Sequence, residues 1–437
     1  MTKLELLQAV RPPEVRPPGV PSPAVRPCKR PAGTPFVLGR RAALAVSACV
    51  VAHTLWTSAA PAMVYRLYAQ QWHLTHAVTA GIFAIYPIVV VAVLIGFGDL
   101  SDHIGRRAAM LMGLGASLAG TLLFAVAPSV SWLFLARTLM GIGVGLTAGP
   151  STAAVLEFTA AGTPGRAALI TTVAQASGFA LALLLGGALV QYAPWPTQLS
   201  FWVLAVLLTL LFAAAWFLPR PNGPATGGRW RPRTPSIPSN VRRAFTLASL
   251  AMMTAYTHGV LVLSLGGQVA HDLVGTSNAF VGGAVLSLFA ITFGATSILG
   301  RSLPIRTAMI AGALASAAGM ALLALAVVRH DLSIFLLATS TAGAGYSLLF
   351  LTGLQVINAA ASADQRGGML SALYLLSYLS MGATAIVLGA VATASSLALA
   401  VDLGAGVIAV LSLATLLLAA SGRGLGRHAS PNEQGSS

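Results

Sequence analysis

Ten residues from Gly98 to Arg107, GDLSDHIGRR, set two aspartates, a histidine and two arginines between long apolar runs. Only 8% of the chain is charged, so such a cluster must serve something. A carboxylate pairs with arginine and with the positive N-terminus of a facing helix, so Asp102, Arg106 and Arg107 at helix ends can hold two parts of the molecule together and release them. The plainer alternative is that the two arginines only mark one side of a membrane. Arg137 lies inside an apolar run and cannot lose its charge, so it must face a protein interior, water, an acid or an anionic substrate. Coupling or substrate binding is one reading of it, a structural pair the other. His53 and Trp56 lie in one apolar run, Tyr256 and His258 in another. Imidazole can carry a proton, and flat indole and phenol rings receive aromatic or cationic ligands. A histidine merely bonded to its neighbours is the alternative in each case. Gln355 is a further polar candidate, and Glu157 with Arg166 a candidate latch. The alternative for that pair is a set of solvated loop charges.

These residues are positioned by a strongly apolar chain: 437 residues, 56% hydrophobic, mean hydropathy +0.82. A water-soluble globule carries about a quarter charged residues, so composition alone points to a multi-pass membrane protein. Runs of roughly 20 residues can span hydrocarbon. They occur at 42–66, 76–97, 108–127, 132–156, 167–192, 197–218, 244–270, 279–300, 307–328, 332–357, 368–394 and 397–420. None alternates as a strand would, and lipid demands internally satisfied backbone groups, so all twelve are expected to be helices. The first run starts too far into the chain for an ordinary secretory signal and is expected to remain as a helix. Cys28 and Cys49 allow neither a disulfide framework nor a paired metal motif.

The formal charge of +15 would suggest nucleic acid in a soluble protein, but its distribution decides otherwise. With the N-terminus cytoplasmic, 22 of the 25 Lys and Arg fall in the tails and inside loops, leaving Arg66, Arg137 and Arg329. The positive-inside rule is met at every loop, so the basic balance is topological and both termini are expected to be cytoplasmic. Residues 1–41 hold nine prolines and read as a disordered Pro/Arg-rich tail. A six-helix bundle is expected over 42–218, a polar cytoplasmic loop over 219–242, a second bundle over 243–420, and a tail over 421–437. The two bundles are related: one offset of 202 carries Arg40-Arg41 onto Arg242-Arg243, Gly141 and Gly143 onto Gly343 and Gly345, Gly187 onto Gly389, and Trp56 onto His258. Parallel six-helix repeats with a site between them are an architecture of alternating-access transporters.

The loop between the second and third runs resembles the G-x-L-S/A-D-R/K-x-G-R/K-R/K signature of the major facilitator superfamily. Gly98, Leu100, Ser101, Asp102, Gly105, Arg106 and Arg107 match in order, with His103 where the family has a basic residue. Arg137, Gly141 and Gly143 resemble that family's R-x-x-x-G-x-G in helix four, and Glu157 with Arg166 resembles the acid and arginine that close this helix. The resemblance covers about residues 40–420. It implies an all-α membrane protein of twelve transmembrane helices in two pseudo-symmetric six-helix bundles, with gating by the loop residues and a cavity lined by the first and seventh helices. The antiporter signature G-P-x-x-G-G is represented only by Gly186-Gly187 of ALLLGG, and the second half keeps only RSLPIR, Arg301 to Arg306, in place of the loop.

The expected function is secondary transport of a small organic molecule, with export of drugs or metabolites preferred over import or facilitated passage. The expected partners are that small molecule and the lipid bilayer, the expected active form a monomer, and the expected location the inner or plasma membrane. No cofactor is expected, a proton gradient being the possible driving force. No Asp or Glu falls near the middle of a run, so coupling would use His53, His258 or an acid nearer a surface. A membrane enzyme is disfavoured by the absence of HExxH, P-loop and GxSxG patterns. A non-transporting sensor with the same fold is the other class left open.

Overall fold

Peptide groups in hydrocarbon have no water to bond, so each apolar run must close its own hydrogen bonds. The computed structural model describes residues 37–97, 100–159, 164–219, 239–273, 275 and 277–421, and these form helices without a strand. The N-terminal tail to residue 36, Gly98, loop residues 220–238 and the tail from 422 lie outside the described residues. Twelve helices are long and apolar enough to cross a membrane. They are α1 (Arg40–Gln71), α2 (His76–Phe97), α3 (Arg106–Ala125), α4 (Val130–Phe158), α5 (Pro164–Tyr192) and α6 (Leu199–Trp216) in the first half. The second half has α7 (Arg242–Asp272), α8 (Ala279–Gly300), α9 (Ile305–Arg329), α10 (Leu332–Ala360), α11 (Ala363–Ala394) and α12 (Leu397–Ala420). Their ends fall within about a turn of the expected runs, except that α1 continues through a break to Gln71 and α11 starts earlier, at Ala363.

The halves repeat one packing scheme. Contacts of α1 with α4 and α5, α2 with α4, and α3 with α4 and α6 recur as α7 with α10 and α11, α8 with α10, and α9 with α10 and α12. The tightest of these contacts is set by glycine, because helices in lipid associate through close packing of small residues rather than through a hydrophobic effect. A Cβ on Gly143 would lie 2.6 Å from the Gly113 carbonyl oxygen of α3 and closer still to Ser117 Oγ. Its counterpart Gly345 would place one 2.5 Å from Ser316 N of α9. Between the halves, α2 packs on α11 and α5 on α8, the same pairing exchanged by the pseudo-symmetry.

Both first helices of the repeats are interrupted at corresponding depth. In α1 the helix stops at Ala59, passes through a 3-10 turn at Ala60–Met63 and resumes at Tyr65. Pro61 has no N–H, so the Thr57 carbonyl four residues earlier loses its partner. Arg137 of α4 supplies one: its Nη1 donates to Ser58 O at 3.3 Å and, more weakly, to Thr57 O at 3.5 Å. In α7 the α-helix ends at Gly259 and gives way to π-helix at Val260–Leu265 and Val269–Leu273, a local underwinding associated with functional sites. Gly267 of this stretch packs on the Ala62 carbonyl, so the two interruptions meet across the halves.

Two outcomes follow for protein purified in detergent. Gly143→Ala is expected to cost about 1–3 kcal/mol through overpacking and to lower the thermal unfolding midpoint. Gly149→Ala, whose added methyl meets open space, is expected to leave the midpoint unchanged or raise it. Arg137→Met strands the two carbonyls, at about 1–3 kcal/mol. Adding Pro61→Ala restores an N–H to Thr57 and is expected to recover part of the loss. A double variant as unstable as Arg137→Met alone would show that Arg137 does not act by closing the break.

Candidate functional site

The signature loop is built as one helical turn, Leu100–Ile104, followed by Gly105 at φ 88°, a conformation that favours glycine and redirects the chain into α3. Gly98 and the side chain of Asp102 lie outside the described residues. Arg106 forms an ion pair with Glu157 at the end of α4. Arg107 donates from Nη1 to Leu218 O at 3.3 Å, and its guanidinium lies 5.7 Å from the Trp216 ring centre. These named contacts lie within the first half; the tie between halves expected of Asp102 rests on a side chain outside the described residues. The pairing expected of Glu157 is corrected. Its partner is Arg106, and Arg166 is exposed at the start of α5. The carbonyl end of α4 is held instead by Arg40, whose Nε donates to Phe158 O at 3.1 Å and Nη2 to Thr159 O at 2.5 Å.

Of the residues expected within the membrane, His53 has both ring nitrogens engaged inside the first half. Its Nδ1–H donates to Val50 O at 2.6 Å, and Nε2 accepts from Ser117 Oγ at 3.2 Å, which ties α1 to α3. Trp56 is half-buried against the core. Arg137 is 0% exposed, with its guanidinium 4.4 Å from the Tyr86 ring centre and 5.8 Å from that of Phe83. Its charge is met by two π faces and two carbonyls, while Nε and Nη2 have no hydrogen-bond partner.

Tyr256 belongs to an aromatic cluster drawn from four helices. Its ring meets Tyr378 of α11 edge to face at 4.8 Å and Phe350 of α10 at 6.3 Å. Phe350 stacks with Tyr346 at 5.9 Å, and Tyr346 meets Phe293 and Phe289 of α8 at 5.2 and 5.4 Å. Tyr378 lies on α11, the helix that packs on α2 of the first half, and α2 carries the Tyr86 ring that covers Arg137. Phe289, Phe293, Tyr346, Phe350 and Tyr378 escaped the sequence reading. The signal was present: Phe289 with Phe293, Tyr346 with Phe350, and Tyr374 with Tyr378 are each four residues apart, which aligns both rings on one helix face. Gln355 is half-buried on α10, five residues beyond Phe350.

His258 lies behind this cluster. Its Nδ1–H donates to Thr254 O at 2.8 Å and its ring centre is 6.3 Å from Phe289. Nε2 is buried without a partner and borders an apolar cavity of about 30 Å³ beside the π-helical stretch, room for a water or two.

Among the described residues, the following hydrogen bonds between the halves lie at the end away from the signature loop. Arg66 Nη2 of α1 donates to His271 Nε2 of α7 at 2.7 Å, and His76 Nδ1–H of α2 donates to Gln268 Oε1 at 2.6 Å. Ala77 N donates to Thr393 Oγ1 of α11 at 2.8 Å, and Ala279 N of α8 to Gln191 Oε1 of α5, also at 2.8 Å. Near this seam Gly187 and Gly283 bring α5 and α8 into backbone contact. The molecule is thus latched at one end, while the named contacts of the signature loop sit wholly in one half at the other.

Such a two-half arrangement has relatives of known class. Residues 45–385 match the family model of the Major Facilitator Superfamily. The multidrug efflux pump LfrA of Mycolicibacterium smegmatis is 30% identical over 187 residues, 42% of this chain and 37% of that protein. The puromycin resistance protein pur8 of Streptomyces alboniger is 35% identical over 129 residues, 29% of this chain and 25% of that one. The matched stretches therefore span well under half the length of these curated relatives. Among solved structures, the nucleoside transporter NupG superposes with a TM-score of 0.70 at 13% identity, covering 87% of this chain and 100% of that one. The peptide transporter POT also superposes with a TM-score of 0.70, at 17% identity over 87% and 94% of the two chains. Identities this low speak for the fold, while the family model spans most of the sequence, and on that ground the chain belongs to the Major Facilitator Superfamily.

Proposed function

We propose that this protein is a secondary transporter that exports planar, amphipathic organic molecules by rocking its two halves about a site between them. The observation that carries the reading is the cluster of Tyr256, Phe289, Tyr346, Phe350 and Tyr378, one of whose helices, α11, packs on α2 of the other half. Rings of this kind bind flat or cationic ligands through stacking and the quadrupole of the π face, with little demand on exact shape. The matched portions of an efflux pump and of a resistance protein support the export direction.

The same reading orients the molecule. The termini and arginine-rich loops face the cytoplasm in an inner or plasma membrane, which puts the latched end outside and makes this an outward-closed state. The protein works as a monomer, without a cofactor, on the proton gradient.

The test is growth of an efflux-deficient bacterium on dyes, antibiotics and cationic biocides, with transporter levels matched by immunoblot. Wild type is expected to protect and Asp102→Asn to lose protection. Tyr378→Ala is expected to lower the tolerated concentration of planar cations by about two- to tenfold, as the loss of one ring contact implies, while Tyr378→Phe keeps it. Absence of protection by well-expressed wild type would defeat the export reading in favour of uptake of a dedicated metabolite.

A further inference from the structure

The outer latch contains one titratable side chain whose protonation is incompatible with the contact it makes. Arginine only donates hydrogen bonds. Because Arg66 Nη2 stands 2.7 Å from His271 Nε2, that nitrogen presents its lone pair and the ring proton is on Nδ1, which donates to Asp272 Oδ1 at 2.6 Å. The His271 and Asp272 side chains are 32% and 44% exposed, so water reaches both. We propose that His271 is a proton-accepting site on the outer face, and that its protonation opens the latch between α1 and α7. A proton from outside water adds to Nε2 and no covalent bond other than that N–H is made or broken. The Arg66 hydrogen bond is lost, N–H faces N–H, and two cations stand in contact. Asp272 keeps the imidazolium paired on its other side, so the ring stays with α7 while Arg66 is released with α1.

The surroundings leave His271 as the group at which this happens. From α1 the facing charge is Arg66, from α7 itself Asp272, and from α2 the titratable neighbour is His76, which reaches only Gln268. The part of α8 packed against this stretch, Ala279 to Gly283, has no titratable side chain, and Tyr192 of α5 contacts Asn278. The segments that carry Arg66 and His271 both follow interruptions in their helices, so each can move without dragging its inner half. The inference rests on the orientation proposed above. It supplies a coupling site in a chain with no acid near the middle of a span.

The experiment measures distance, not transport, so it fails independently of the export reading. Val126→Cys and Val328→Cys, in a Cys28→Ser, Cys49→Ser background, place spin labels at the outer ends of α3 and α9 in the full-length protein, reconstituted without substrate. Between pH 8 and pH 5.5 the ratio of wide to narrow outer separations is expected to rise about tenfold, as linkage to one proton allows. His271→Gln accepts from Arg66 but cannot charge, and is expected to stay narrow at both pH values. Arg66→Met is expected to be wide at both, and His76→Gln to respond as wild type does. Should His271→Gln fold poorly, Asp272→Asn serves instead, with opening shifted to lower pH because the imidazolium has lost its carboxylate. A wild type indifferent to pH, or an undiminished response in His271→Gln, overturns the proposal; so does a response unmoved in Asp272→Asn.

Discussion

A carbonyl without a donor in hydrocarbon is expensive, and the architecture is arranged around the places where the helical ladder fails. Pro61 opens α1 between its two helical segments, and the carbonyls of Thr57 and Ser58 are met by Arg137. That single charge is tolerated because it also lies over two rings, those of Tyr86 and Phe83. Tyr86 lies on α2, which packs on the α11 helix of Tyr378, so the repair of a backbone defect in one half and the aromatic cluster of the other lie on helices in contact. In α7 the corresponding defect is absorbed differently, by underwinding into π-helix, with a small cavity and an unpartnered imidazole nitrogen beside it. The repeat therefore conserves the depth of the interruption and not the means of tolerating it.

The contacts between halves divide into two kinds. Glycine-mediated backbone contact of α5 with α8 is short-range and holds only at close registration, as expected of packing in lipid. The polar seam from Arg66 to Thr393 is directional and, at its edge, open to water. Packing of the first kind is indifferent to pH and ligand, whereas the second can be broken by a proton. Alternating access needs both: a surface on which the halves can re-register and a lock that something outside can undo.

How much of this could be read beforehand depended on the length scale of the signal. Hydropathy summed over twenty residues located every span, and the offset of 202 exposed the repeat, because both average over many residues. The interior position of Arg137 followed from the cost of burying its charge. Its partners did not, because carbonyls carry no sequence signature. Glu157 was matched to Arg166 on a family pattern, but α3 and α4 pack more tightly than α4 and α5, and the acid takes the arginine of the nearer helix. The aromatic cluster was legible only as pairs four residues apart. Nothing local says that four helices turn those pairs toward one another. The latch was least visible of all, since its residues are 205 and 192 positions apart and each alone is an ordinary polar side chain at a helix end.

The absence of a carboxylate near the middle of any span gains meaning beside this latch. A proton held at mid-membrane must be matched by an acid whose burial the fold has to offset. A histidine at the outer edge avoids that cost, because Asp272 beside it is partly solvated and Arg66 is a neighbour only while the latch is shut. In the coupling proposed here, energy from a proton gradient enters as the difference between an imidazole that completes an inter-half hydrogen bond and an imidazolium that repels the same arginine. A ligand shifts an equilibrium only by its differential affinity for the two states, and here the differential affinity of a proton is written into one contact. On the function proposed here, substrate selectivity among the rings deeper in the molecule is separated from the step that admits the driving ion.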